Sequence, residues 1–302
     1  MPILEKNGYL LSIESWVGNL GNHLIQLSCA LNVAEKTRSR LTIPEHHLLR
    51  RRVFDFMNKE ADNCLEPVSG RFFYKTDCFQ YPIVFDADRR RVFQDHVYEM
   101  LVRKNVRERV KAFWTDRESD RVHPETLVIN MRSGRDIFQS EPPPQNDYMQ
   151  PPLSFYRRII ESHRYEDCLI VTEAARKNPC IDGLVKLYPR VRIKTHVSVA
   201  DDMRTLLSAR HLVTCHSTFS WCMALMSRDL QSLHQPSSFQ IRGVDDFSVD
   251  TYECRDYIKP GEWTASAAQL ELMLNHDPRN IEVFHRPAGA VKGREPEPSH
   301  LW

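Results

Sequence analysis

"HLVTCHSTFSWCMALMS", residues 211–227, is the stretch on which the reading of this chain turns. Its opening, "HLVTC", has the short apolar character of a buried strand. Its close, "FSWCMALMS", is apolar nearly all round, which marks a helix with no solvent face. Little more than a turn separates the two, so they read as a strand feeding directly into a buried helix. Ser217, Thr218 and Ser220 fall on the first turn of that helix. Backbone N–H groups there have no intrahelical partner, and the helix dipole presents its positive end. Hydroxyls together with such N–H groups suit a diphosphate without any metal. A simple N-cap would need one hydroxyl; a cluster ending in Trp221 asks for more.

Working outward, strands and helices alternate along most of the chain. "TLVINMR" (126–132) reads as a strand, followed by the proline-rich loop "SEPPPQNDYMQPP" and a helix over 153–163. Strand 168–173, helix 180–188, strand 191–196 and helix 199–210 then lead back to strand 211–215. Ser198, with Asp201 three residues on, fits a capping box for the helix at 199. Upstream, strand "YLLSIE" (9–14) precedes a helix over 21–36, with Leu24, Leu27, Leu31 and Ala34 at helical spacing, and strand "RLTIPE" (40–45). A further strand, "RFFYKTDCF", and a polar helix around 91–115 fill a region whose order the sequence leaves open. Apolar strands linked by helices predict parallel sheets covered on both faces, in two α/β domains. The charged, apolar-poor stretch "TDRESDRVHPE" marks their boundary near 116–126.

Composition bounds the function. Of 302 residues, 41% are hydrophobic and 27% charged, as in a soluble globular protein of two domains. The net charge of +1 gives no general attraction to nucleic acid or membrane, so neither is expected as a partner. No run nears the roughly 18 apolar residues of a transmembrane segment. The N-terminus lacks a basic region followed by an apolar core. The eight cysteines form no CxxC pair and sit largely in apolar runs, which reads as reduced thiols and a cytoplasmic setting. The only tight histidine cluster, "EHH" (45–47), fits no common zinc spacing, so no metal is expected. The basic runs "RRRVFDF" (50–56) and "DRRRVFQ" (88–94) read as solvated helix faces, with an anionic acceptor as the alternative.

Ligands of open α/β sheets bind beyond the carboxyl ends of the strands. Besides the helix start at 217, two further segments lie at such ends. "WVGNLGNH" (16–23) offers glycines and a helix start; a tight connecting turn is the plainer reading. "NMRSGRDIF" (130–138) brings Arg132 out at a strand end. Its guanidinium could grip a phosphate or bridge to an acidic neighbour.

At these segments the chain resembles a known family. "DMRTLLSARHLVTCHSTFSW" (202–221) is similar, without a gap, to the α1,2-fucosyltransferase motif D-L-x-L-M-S-x-C-x-H-x-I-I-x-N-S-T-F-S-W, matching at Asp202, His211 and Ser217–Trp221. "GNLGNHLIQ" (18–26) resembles that family's G-G-L-G-N-Q-x-x-Q. "INMRSGRDIF" resembles its H-x-R-R-G-D-Y, and "QPPLSFYRRII" (150–160) its L-P-x-x-Y-Y-x-x-A-I. The resemblance implies a GT-B fold, with two Rossmann-like domains facing each other across a cleft. It implies an inverting, metal-independent glycosyltransferase moving fucose from GDP-fucose to a glycan hydroxyl, without a cofactor. Residues 1–125 would form the acceptor-side domain and 126–262 the nucleotide-sugar domain. Residues 263–302 would be a helix and a loosely ordered tail.

Carried over by motif, Arg132 would bind the β-phosphate, and Ser217, Thr218 and Ser220, beside His216, would contact the diphosphate. Asp202 would approach the guanine or its ribose. Gly18, Asn19, Gly21 and Asn22 would line the cleft beside the donor. Asp136, matching the family acid, is the first candidate for general base. His23 and then Glu14 follow. The departures cluster around the donor. Asn130 replaces the family's histidine, Ser133 its second arginine, His23 its glutamine and His216 its asparagine, and Arg135 is an apparent insertion. They leave open a different nucleotide sugar on the same scaffold, or a nonenzymatic nucleotide- or glycan-binding relative. The proline-rich loop is long enough to serve as a lid over the site or simply as an irregular surface path.

Overall fold

The structure, a computed structural model, describes residues 10–46, 53–56, 73–74, 91, 97, 122–139, 144, 146–163, 165–241 and 244–289. The chain divides into two compact units, Met1–Arg117 and Glu118–Trp302. Most of the polar helix expected over 91–115, much of "RFFYKTDCF" and of the basic runs, part of the proline-rich loop, and residues 290–302 lie outside the described residues.

In the first unit, β1 (Leu10–Ile13) passes through α1 (Leu20–Lys36) to β2 (Arg40–Thr42), which pairs with it in parallel. β3 (Val53–Asp55) joins β2 antiparallel and β4 (Phe73–Tyr74) joins β1 in parallel, giving the order β3-β2-β1-β4. The helical spacing expected of α1 is realised: Leu24, Leu27, Leu31 and Ala34 are all buried.

The second unit is a seven-stranded, mostly parallel sheet. β5 (Thr126–Met131) is followed by the short α2 (Arg135–Phe138) and by α3 (Leu153–Ser162). Then come β6 (Asp167–Thr172), α4 (Pro179–Leu187), β7 (Val191–Thr195) and α5 (Val199–Leu207). β8 (His211–Val213), α6 (Thr218–Met226), β9 (Ser232–Pro236) and β10 (Ser248–Cys254) complete the parallel part. α7 (Ala267–Asn275) and the antiparallel β11 (Ile281–Arg286) follow. The sheet order is β11-β10-β9-β8-β5-β6-β7. Taken from β5, that is the 3-2-1-4-5-6 order of a doubly wound sheet with one antiparallel strand added. β5 lies beside β8 in the middle of its parallel part and is buried at every position, as a strand covered on both faces must be.

α6 is the all-apolar helix the sequence implies, buried from Ser220 through Met226. Ser198 caps α5 by accepting from the Asp201 N–H at 3.1 Å. The reciprocal half of the capping box is absent, because the Asp201 carboxylate pairs with Lys194 Nζ at 3.0 Å instead.

The segment after residue 262 holds the expected helix, α7, and also a strand that the sequence reading does not name. β11 pairs with β10 along its whole length, so the sheet continues through Arg286. β11 is an edge strand, mostly half-buried or exposed, and lacks the apolar run that reveals a buried strand. Trp263 is fully buried in the main core beside Ile137, Phe155, Tyr156 and Met273. Its indole N–H donates to the Ile137 carbonyl at 2.9 Å, and its ring meets Phe138 edge-on at 5.7 Å.

This makes residues 263–286 an integral part of the domain. Trp263→Ala is expected to cost about 3–5 kcal/mol of unfolding free energy, the range for deleting a buried aromatic side chain. Urea denaturation measures it, and a loss near zero would detach the segment from the core.

Candidate functional site

The sheet reverses its winding between β5 and β8. From β5 the chain builds outward through β6 and β7, crosses back through α5, and builds the other way from β8. At such a reversal the connections leaving neighbouring strands diverge, and a crevice opens beyond their carboxyl ends. Arg132 follows β5, Glu173 follows β6, and His216–Thr218 follow β8. Register brings them together, since Met131 is paired with Thr172 and Ile129 with Val213.

Arg132 is gripped by two carboxylates. Its Nε donates to Glu173 Oε1 at 2.5 Å and its Nη2 to Asp136 Oδ2 at 2.5 Å. Burial works against the guanidinium charge, but Glu173 and Asp136 outweigh it and hold Arg132 firmly protonated. Both pairings fix the plane of the fork, and Nη1 has no hydrogen bond among the described residues. Asp136 reaches Arg132 from the first turn of α2, and glycine at 134 makes room for it: a Cβ there would lie 2.2 Å from Asp136 Oδ1. Glu173 was not singled out from the sequence. Its signal is its position, an acid immediately after a strand parallel to the one that delivers Arg132.

The loop behind Arg132 is bolted to the start of α4. Ser133 is fully buried, and its hydroxyl accepts the Asn178 N–H at 2.9 Å. The Asn178 side chain donates to the Arg132 carbonyl at 3.0 Å, and the Ser133 N–H donates to Glu173 Oε2.

Across the crevice, α6 begins without a side-chain cap. Ser217 occupies the N-cap position and is 4% exposed, yet its hydroxyl takes none of the helix N–H groups. Among the described residues, the backbone N–H groups of Phe219 and Ser220 have no partner either. The Ser220 hydroxyl turns inward and donates to the Ser217 carbonyl at 3.2 Å, so it braces the turn rather than facing the crevice. Cys215, just before, is buried against Asn130 Oδ1 at 3.5 Å, and burial pushes its thiol up to about 12. A thiol so held is inert as a nucleophile.

His216 stacks on Phe239 with ring centroids 4.3 Å apart and meets Tyr148 edge-on at 6.1 Å. Burial lowers its pKa to about 4, with the Arg132 charge adding to the effect and Asp147 opposing it. The imidazole is therefore neutral near pH 7. Its Nδ1 is buried and has no hydrogen-bond partner among the described residues, an unusual state for a buried polar atom.

The far half of the proline-rich loop walls this region. Gln150 Nε2 donates to the His216 carbonyl at 3.4 Å, while the Gln150 carbonyl accepts from Tyr257 Oη at 2.9 Å. Trp263 N–H donates to the Asn146 carbonyl at 3.2 Å. Residues 146–152 are thus tied to the C-terminal segment through Asn146 and Gln150.

The remaining candidates lie elsewhere. Asp202, on the first turn of α5 beyond β7, bonds to His196 Nδ1; its Oδ1 is buried without a partner among the described residues. Burial raises its pKa, against the favourable pull of His196. Gly18, Asn19, Gly21, Asn22, His23 and Glu14 belong to the first unit. Gly18 has φ +70, and a Cβ there would lie 2.2 Å from Asn22 Nδ2, so this turn requires glycine. Asn19 is the N-cap of α1 without a side-chain cap bond. His23 Nε2 donates to the Gly18 carbonyl at 2.8 Å, which leaves Nδ1 to accept from His46 Nε2 at 3.1 Å. Both nitrogens of His23 are engaged in this tautomer.

No family model matches the chain, and a search of curated proteins finds no match.

The buried, neutral state of His216 has a pH signature. Its folded pKa lies below the ordinary value of 6.5, so the unfolded chain takes up the proton first. Its stability contribution is complete above about pH 6.5 and is lost as pH falls through about 4. His216→Phe keeps the stacking and is expected to flatten that part of the stability–pH curve. Unfolding measured from pH 7 to pH 4 checks this, as does imidazole NMR showing His216 neutral at pH 5.

Proposed function

We propose that the protein is a glycosyltransferase of the inverting, metal-independent kind, transferring a sugar from a nucleotide diphosphate donor, GDP-fucose first, to a glycan hydroxyl. The observation that carries this reading is that Arg132 and the uncapped start of α6 follow two paired parallel strands, β5 and β8, at the winding reversal of the sheet. Two features support a ligand there: helix N–H groups without partners and an orphaned buried nitrogen on His216. Two α/β units in one chain agree with the GT-B arrangement that this function implies, with the second unit as the donor side.

The chemistry follows from charge. As the acceptor hydroxyl attacks the anomeric carbon, negative charge develops on the departing diphosphate. Arg132 Nη1, the Phe219 and Ser220 N–H groups and the dipole of α6 would stabilise that charge, with Ser217, Thr218 and His216 as further polar contacts. The obstacle is that Arg132 already faces two carboxylates, so the clamp is net negative before any ligand arrives. Glu173 is also tied to the Ser133 backbone and stays; Asp136, half-exposed, is the group that gives way. Freed from Arg132, Asp136 would act as the general base, ahead of His23, whose nitrogens are both bonded, and Glu14.

Two variants separate these roles. Arg132→Ala is expected to weaken GDP binding and to lower transfer about 10²–10³-fold, the usual effect of losing one contact to a developing anion. Asp136→Asn removes the competing charge, so GDP binding is expected to tighten while transfer falls. Calorimetry with GDP and UDP, alongside a donor-turnover assay, reads both outcomes. GDP affinity unchanged in Arg132→Ala would remove the diphosphate from this crevice, and stabilisation by UDP instead of GDP would reassign the donor.

A further inference from the structure

The histidines that form no motif in the sequence converge at the opposite edge of the same sheet. His234 in β9 is paired with Asp250 in β10, and Asp250 with His285 in β11. Paired residues of neighbouring strands share a face, so the three side chains form a row across the sheet. α3 ends above this row, and His163 follows its last residue. The Asp250 carboxylate lies at the centre. Its Oδ2 is 3.2 Å from His234 Nδ1 and 3.6 Å from His163 Nε2, and its Oδ1 is 2.6 Å from His285 Nδ1.

From this geometry we propose that His163 Nε2, His234 Nδ1 and Asp250 Oδ2 form a binding site for one divalent transition-metal ion of the Zn²⁺ type. A tetrahedral zinc with bonds of about 2.0–2.1 Å holds its ligand atoms roughly 3.3 Å apart. The two measured edges to Asp250 bracket that value. All three ligand atoms lie within 4.8 Å of one another, so the remaining edge needs only a small inward swing of His163, which is partly exposed at a helix end.

The surroundings are those a metal site needs. His234 is fully buried, and Tyr165 Oη lies 2.7 Å from its Nε2. Without an ion, Nδ1–H donates to Asp250 Oδ2 and Nε2 accepts from the Tyr165 hydroxyl; binding would displace the Nδ1 proton, with Nε2–H then donating to Tyr165. His285 holds the other oxygen of Asp250, orienting the carboxylate from outside. Such outer partners fix the tautomer and rotamer of metal ligands. Imidazole and carboxylate without thiolate suit zinc and its neighbours rather than calcium or magnesium. A cavity of 510 Å³ adjoins the cluster, lined also by Glu125, Arg158 and His211, and leaves a fourth position open to water or a small ligand. The site lies where the parallel strands begin and Arg132 lies where they end, so the inference is independent of the proposed transferase reaction.

The test uses the full chain, stripped with a chelator and titrated with Zn²⁺ against a competing chromophoric chelator. One zinc per chain is expected, with a rise in Tm. His163→Ala, a partly exposed position whose variant's fold circular dichroism verifies, is expected to bind more than about tenfold more weakly and to lose the rise in Tm. His196→Ala, outside the cluster, is expected to leave both unchanged. Co²⁺ in place of Zn²⁺ is expected to show the intense visible absorption of a tetrahedral complex, absent in His163→Ala. Absence of binding by the wild-type chain, or binding equal in wild type and His163→Ala, would overturn the proposal; the second result would mean scattered surface histidines.

Discussion

The arrangement depends on one ion-pair clamp at a strand end. Arg132 leaves β5 with its guanidinium held on one side by Glu173 and on the other by Asp136. An arginine side chain has many rotamers, and two carboxylates in one plane leave it essentially one. The cost of holding so much charge in a partly buried place is met by extra bonds: the Ser133 N–H on Glu173, and Asn178 on the backbone behind. Removing either acid would leave the guanidinium less constrained; removing the arginine would leave two carboxylates facing each other. The clamp therefore sets both the shape and the electrostatics of the crevice.

Much of the second unit was legible because its strands are buried on both faces. β5, β6 and β8 read as short apolar runs, and α6 as a helix with no polar side, since nothing in their surroundings is solvent. β11 escaped because an edge strand shares one face with water and mixes Phe284 and Val283 with Glu282 and His285. Part of the site was equally legible. Arg132, Asp136 and Ser217 sit on one continuous stretch or at one helix start, and spacing shows such groups. Glu173 and Asn178 complete the clamp from the next strand and helix, and their relevance exists only in the parallel register. Ser220 reads as one of three equal hydroxyls, but its helical position turns it into the interior.

The two ends of the sheet illustrate the same limit. At the carboxyl ends, the functional groups come from turns that the chain makes in short sequence intervals, so motifs survive. At the amino ends, His163, His234, Asp250 and His285 come from four elements and meet only through cross-strand pairing. The sequence offered "EHH" as its tightest histidine cluster. In the structure, His46 from that cluster is bonded to His23 at the glycine turn instead.

His216 joins the two halves of the donor-side reading. A buried imidazole ordinarily satisfies both nitrogens, and here stacking on Phe239 fixes the ring while Nδ1 goes without a partner among the described residues. An orphaned nitrogen of that kind costs about 1–3 kcal/mol. A fold tolerates such a loss where another molecule supplies the missing bond. The adjacent N–H groups of Phe219 and Ser220 have no partner among the described residues, since the N-cap hydroxyl of Ser217 does not turn back to them. These groups share one short turn that follows β8, the strand paired with the one that delivers Arg132.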